Sequence, residues 1–304
     1  MKAIRPCITL CFSIFVAVFS ATTSHGFPGL NIPLSIYGSD SRHRFTEITN
    51  PVLQRAASAT AAIVSKHKLH FSARTNSYSI NARTVEENYE LCGGEPDGSE
   101  PFLSKCSSVL IGEDLLLTAG HCVTSSTSCQ NFYYVFGYYS NRSIPAHNVY
   151  ECAEVITPPT SEGIRASNLD FTIIRLRRAV TGVTPISFHE NINRVTRGAD
   201  VALLSYPLGM PLRMADDASI GRVLRQGNAT LFRSNVDAFE GSSGGAVVDV
   251  ETGKLLGILQ GGLSDFRYDR SQGCNRFQNY SQRSRDGEDV LSIRSIQRFI
   301  ERFR

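Results

Sequence analysis

Short β-prone runs separated by turn residues dominate this chain from about residue 70 onward, and this pattern constrains the fold more than any other feature. Ser107–Ile111, Leu115–Thr118, Phe132–Tyr139, Phe171–Leu176, Val201–Ser205, Gly245–Val250 and Leu255–Leu259 are rich in branched and aromatic residues. Turn stretches such as Gly112-Glu113-Asp114 and Glu251-Thr252-Gly253-Lys254 punctuate them. Strands this short and this regularly interrupted predict an all-β barrel or sandwich. Helices are expected only at the margins. Asn50-Pro51 offers a cap and a first-turn proline for a helix over the alanine-rich stretch Val52–Ser65. Leu291, Ile293, Ile296, Phe299, Ile300 and Phe303 recur at helical spacing and predict an amphipathic helix over about 290–303.

Length and composition narrow the class. The 304 residues suffice for one large domain or two small ones, and 41% apolar with 19% charged residues fits a folded protein. A formal net charge of +3 implies no general nucleic-acid or membrane partner. At the N-terminus, Lys2 and Arg5 precede an apolar run, Ile8–Phe19, and then the small residues of Ser20–Ser24. This order predicts a signal peptide over residues 1–26 and a secreted or periplasmic protein without a membrane anchor. Cys7 and Cys11 would leave with it. Six cysteines remain, at 92, 106, 122, 129, 152 and 274, and an even number in an exported chain predicts disulfides. No paired C-x-x-C knuckles occur, so no metal is expected.

Two separated segments carry the chemistry. Residues 117–122 read Leu-Thr-Ala-Gly-His-Cys, and residues 241–245 read Gly-Ser-Ser-Gly-Gly. The glycines of the second segment let successive backbone N–H groups converge on one concavity, which suits an oxyanion. Ser243 is the candidate nucleophile, with the N–H groups of Gly241 and Ser243 as the anion hole. His121 follows an apolar strand and is flanked by Cys106 and Cys122, so it is the candidate general base. Asp170 stands at the start of Phe171–Leu176, where burial would demand a hydrogen-bond donor, and His121 is the donor such chemistry requires.

In their chain order (His121, Asp170, Ser243), and with the specific run Thr118-Ala119-Gly120-His121-Cys122, these segments resemble the chymotrypsin-fold serine proteases over roughly residues 36–303. The resemblance implies two six-stranded antiparallel β-barrels with a C-terminal helix and the site between the barrels. The first barrel is expected over about 60–178 and the second over about 179–288, both within one domain spanning 27–304. It also implies a His-Asp-Ser triad, protein or peptide substrates, no cofactor and a monomer. Ser39–His43, Ser205–Gly209, Asp237–Phe239 and the closing 293–303 stretch are similar to the bacterial V8-like, glutamyl-endopeptidase-like branch. The Cys106/Cys122 spacing resembles the family's histidine-loop disulfide. The other four cysteines allow three pairings. Cys129 with Cys152, across the Phe132–Tyr139 run, leaves Cys92 with Cys274.

The chain also departs from its relatives. It lacks the trypsin activation start, and Ser242 stands where trypsins carry the acid that pairs with a freed N-terminus. The substrate pocket is expected between Asp237–Gly241 and Gln260-Gly261-Gly262. Asp237 has two readings: a pocket-floor acid favouring Arg or Lys, or a turn residue that never meets substrate. Leu259 replaces the histidine of the glutamyl-specific pattern, which argues against glutamate preference. The runner-up function is a catalytically silent binding relative.

Overall fold

In the computed structural model, described over residues 36–157, 169–189, 194–226, 229–282 and 287–303, the strands close into two barrels. The proposed signal peptide lies outside the described residues. In pairing order the first barrel runs Val149–Thr157, Thr172–Leu176, Leu115–Thr118, Ser104–Leu110, Thr60–Ser65 and Phe132–Val135, which pairs back with the first of these. The second runs Asp200–Ser205, Ala246–Asp249, Leu255–Gly261, Glu288–Ser292, Ala229–Ser234 and Arg213–Gln226, and closes on Asp200–Ser205. Every pairing within the two barrels is antiparallel. A short strand, Arg42–Arg44, is added to the outer edge of Arg213–Ala215.

Branched side chains drive this closure because a closed barrel leaves no unpaired edge and buries one face of every strand. Ile63, Leu116, Val135 and Ile174 are fully buried in the first barrel, and Val201, Phe232, Val247, Leu259 and Val290 in the second. The larger apolar cluster also takes in Leu204, Tyr206, Ala246 and Ile258 of the second barrel, so the core is continuous through the contact between barrels. There Tyr206 is fully buried, and its hydroxyl donates to the Thr60 carbonyl at 3.0 Å.

Both expected helices are shorter than their patterns suggested. Asn50 caps as expected, its side chain accepting from the Val52 N–H at 2.9 Å, but the helix covers only Pro51–Ser58. Thr60–Ser65 is a strand instead. Its residues pair with Ser104–Leu110 on one side and Phe132–Val135 on the other, and this tertiary pairing outweighs the helical preference of Ala61 and Ala62. At the other end Glu288–Ser292 is the strand that seals the second barrel, with Leu291 opposite Leu231 and Ile258. The second barrel therefore extends to residue 292. A 3-10 turn, Ile293–Ser295, and a short helix, Gln297–Ile300, follow. No described helix is long and apolar enough to cross a membrane.

Candidate active site

Strand register brings His121 and Asp170 together. Thr172 pairs with Thr118 across the first barrel, so Asp170, two residues before the one, faces the turn that follows the other. That turn, Gly120–Cys122, is a single 3-10 turn carrying His121. The two oxygens of Asp170 serve two donors of one residue: the His121 backbone N–H reaches Oδ1 at 2.9 Å and Nδ1–H reaches Oδ2 at 2.7 Å. Since a carboxylate only accepts, this bond puts the ring proton on Nδ1 and leaves Nε2 as an acceptor. Asp170 is 7% exposed, so the pair sits largely out of water.

The Gly241–Gly245 turn is bent by its glycines. Gly241 and Gly244 have φ of +94° and +81°, values that side chains disfavour. A Cβ on Gly244 would collide with the Ser107 carbonyl and the Thr118 hydroxyl, so only glycine lets this turn lie against the first barrel. Within the turn, the Ser242 N–H donates to the Phe239 carbonyl and the Gly245 N–H to the Ser242 carbonyl, both at 2.8 Å.

Ser107 ties this turn to the strand beside His121. Its N–H donates to the Ser243 carbonyl at 2.8 Å and its hydroxyl to the Gly241 carbonyl at 2.8 Å, while the hydroxyl accepts from the Tyr206 N–H at 2.9 Å. Its neighbour Cys106 is bonded to Cys122, next to His121. Sequence reasoning passed over Ser107, and the only signal was its position next to Cys106. The remaining disulfides join Cys129 to Cys152 and Cys92 to Cys274.

Gln260 joins Asp170 and Ser243. Its side-chain amide donates to the Asp170 carbonyl at 3.2 Å, and the Ser243 hydroxyl lies 3.4 Å from its backbone carbonyl. Gly261 and Gly262 continue from it, and the buried Glu288 carboxyl lies against Gly262 where a Cβ would otherwise stand. Asp237 is 3% exposed and turns toward the N-terminal segment. Its Oδ1 accepts from the Tyr37 N–H at 2.7 Å, and its Oδ2 accepts from the Ser41 N–H and hydroxyl at 2.7 and 2.8 Å. Burial pushes this carboxyl up, against the lowering effect of its three donors. Cys106, His121 and Cys122 are grouped closely enough to suggest a metal, yet both sulfurs are spent in a disulfide, so the set does not fit one.

A family model for the trypsin-like peptidase domain matches residues 106–258. None of the curated proteins searched matches the chain. Among solved structures, the active form of Rv3671c protease from M. tuberculosis is similar at 16% identity and a TM-score of 0.50, covering 88% of this chain and 87% of its own. A Glu endopeptidase is similar at 17% identity and a TM-score of 0.50, covering 88% of this chain and 99% of its own. At these identities the likeness is one of fold.

Proposed function

The chain belongs to the trypsin-like peptidase family and is a serine-type endopeptidase; from that premise we propose that it is exported and cuts protein substrates through His121, Asp170 and Ser243. The double acceptance by Asp170 of the His121 N–H and Nδ1–H carries this reading, because it aims Nε2 outward as a base.

In the proposed cycle, Ser243 Oγ attacks the scissile carbonyl as His121 Nε2 takes its proton. The oxyanion is held by the N–H groups of Gly241 and Ser243. His121, now protonated and steadied by Asp170, gives the proton to the leaving amine, the C–N bond breaks, and an ester to Ser243 remains. Water then repeats the sequence and frees the acid. Each anion-hole donor contributes about 3–4 kcal/mol of barrier lowering in such sites.

Export rests on the charged-then-apolar start, Lys2 to Phe19, and on three disulfides, which persist in oxidising compartments. Of the two readings of Asp237, its surroundings support the structural one, since three donors from Tyr37 and Ser41 already occupy its oxygens. The proposed enzyme therefore has no Arg or Lys preference set at Asp237. The test is digestion of a mixed peptide library by the secreted protein beside Ser243→Ala, with cut sites read by mass spectrometry. Cuts that vanish in the variant support the reading. Absence of any Ser243-dependent cut would sink it in favour of the silent binding relative.

A further inference from the structure

The segment Ile36–Arg44 is held against the second barrel at several points, two of them, Asp237 and Phe239, in the stretch that leads into Ser243. Ile36–Tyr37 pairs in parallel with Asn279–Tyr280. Tyr37 and Ser41 fill both oxygens of Asp237, six residues before Ser243. The Tyr37 hydroxyl donates to Glu288 at 2.9 Å. Arg42 has a side chain only 1% exposed, an ion pair to Asp40 at 2.6 Å, and a guanidinium 4.6 Å from the ring centre of Phe239. Phe239 in turn accepts the Ser242 N–H that shapes the nucleophile turn.

At the position directly before Ser243 the network holds a neutral residue. Ser242, the residue just before Ser243, is fully buried; its hydroxyl accepts from the Ser205 hydroxyl at 3.1 Å and from the Phe239 N–H at 3.3 Å. No carboxylate stands there to receive a newly freed α-amino group. The carboxylate sits at 237 instead, and its donors are internal backbone and side-chain groups that exist whether or not the chain is cut upstream.

Resting on the reading of Ser243 as nucleophile, we propose that Asp237 is a positioning residue. With Tyr37 and Ser41 it clamps residues 36–44 beneath residues 237–243, so the nucleophile turn is ordered by an internal strap rather than by a freed N-terminus. Two consequences follow. Cleavage before Ile36 leaves the turn ordered, and cutting within 38–44 disorders it. Asp237 acts on every substrate alike, because it orders the turn and does not touch the side chain being read.

The test uses the full secreted chain, with Asp237→Asn and Ser41→Ala. A fluorophosphonate probe reports the reactivity of Ser243 without any substrate side chain, and the peptide library reports the preference. Both variants are expected to label more slowly and to lose kcat with little change in KM. The loss for Asp237→Asn is on the order of 10- to 100-fold, as for small misplacements of reacting groups, with a smaller loss for Ser41→Ala. The ratio of cuts after Arg or Lys to all other cuts stays constant. An engineered protease site before Ile36 leaves labelling unchanged when cut. Selective loss of cuts after Arg or Lys in Asp237→Asn would overturn the proposal in favour of a pocket acid, and unaltered labelling in both variants would also overturn it. Hydrogen exchange keeps the two readings separable. Faster exchange over 237–245 in Ser41→Ala supports the clamp even where Asp237→Asn fails to fold. A wild-type protein that does not label at Ser243, while that exchange difference persists, removes the nucleophile and leaves the strap.

Discussion

At the scale of single residues, two hydroxyl- or carboxyl-bearing side chains hold the site together, and each gives a measurable expectation. Asp170→Asn keeps the shape but offers an amide donor where an acceptor is needed, so His121 flips to the wrong tautomer. A fall in kcat of about 10⁴-fold is expected, as in related triads, with the folded state retained. Steady-state kinetics beside a thermal melt checks it, and a loss under tenfold would contradict the assigned proton on Nδ1. Ser107→Ala strips the hydroxyl that serves Gly241 and Tyr206, leaving a buried carbonyl and a buried N–H short of a partner. The expected loss is about 1–3 kcal/mol in urea unfolding. A neutral result would show that water replaces the hydroxyl. His121, Asp170 and Ser243 stood out as candidates in the sequence because each sits in a distinctive local run. Ser107 was not, because a serine in a strand has no local signature and its partners lie 134 and 99 residues away.

Elements reveal where local pattern and tertiary pairing disagree. Leu291 opens the helical spacing of the C-terminal run, yet it and Val290 are fully buried in a strand with neighbours on either side. A short apolar run carries no unambiguous period, and the open side of the second barrel decided the matter. The Arg213–Gln226 strand went unseen for the opposite reason. Its Asp216, Asp217, Arg222 and Arg225 obscure the alternation that strands on a half-exposed sheet show. The Cys106–Cys122 disulfide ties the turn carrying His121 to the Ser104–Leu110 strand, with its cysteines 16 residues apart. Replacing both with alanine is expected to lower stability by about 3 kcal/mol, the loop-closure figure for such a span, and to raise hydrogen exchange at 119–123 first. Exchange that rises evenly over the whole barrel would count against a local role.

Lys68 gives an element-scale pH dependence. Its ammonium donates to the Phe102 carbonyl at 2.7 Å and lies 3.8 Å from the centre of that ring. Burial first, then Arg83, depresses its pKa from 10.5 to about 8. A group that holds its proton less tightly when folded makes unfolding take up a proton between those values, so its contribution to stability rises as pH climbs from about 8 to 10.5. The urea midpoint of the wild type, relative to Lys68→Gln, should increase across that window. A flat difference would show that the ammonium is better hydrated than its surroundings suggest.

At the scale of the whole molecule, one apolar cluster runs through both barrels, which cannot come apart without exposing it. A single calorimetric transition is expected, with equal calorimetric and van't Hoff enthalpies, despite the two-barrel design. Tyr206→Phe removes the hydrogen bond to Thr60 that crosses between the barrels. It should lower stability by about 1 kcal/mol without splitting the transition. Two resolved transitions in that variant would show that the barrels are held by the hydroxyl rather than by the core. The strap of residues 36–44 and the Cys92–Cys274 bridge, whose cysteines are 182 residues apart, add long-range ties to the same body.

The sequence by itself determined the β class, the chain order of His121, Asp170 and Ser243, and the glycines of the Gly241–Gly245 turn. Each of these is written in local spacing and local backbone freedom. Only the tertiary structure decided which groups Asp170 receives, that Ser107 ties the Gly241–Gly245 turn to the first barrel, and that Asp237 turns toward Tyr37 and Ser41. Those outcomes depend on strand register and on contacts between residues far apart in the chain. A register shift of one residue would reverse the facing of every side chain on a strand, and nothing in a local run records its partner's register.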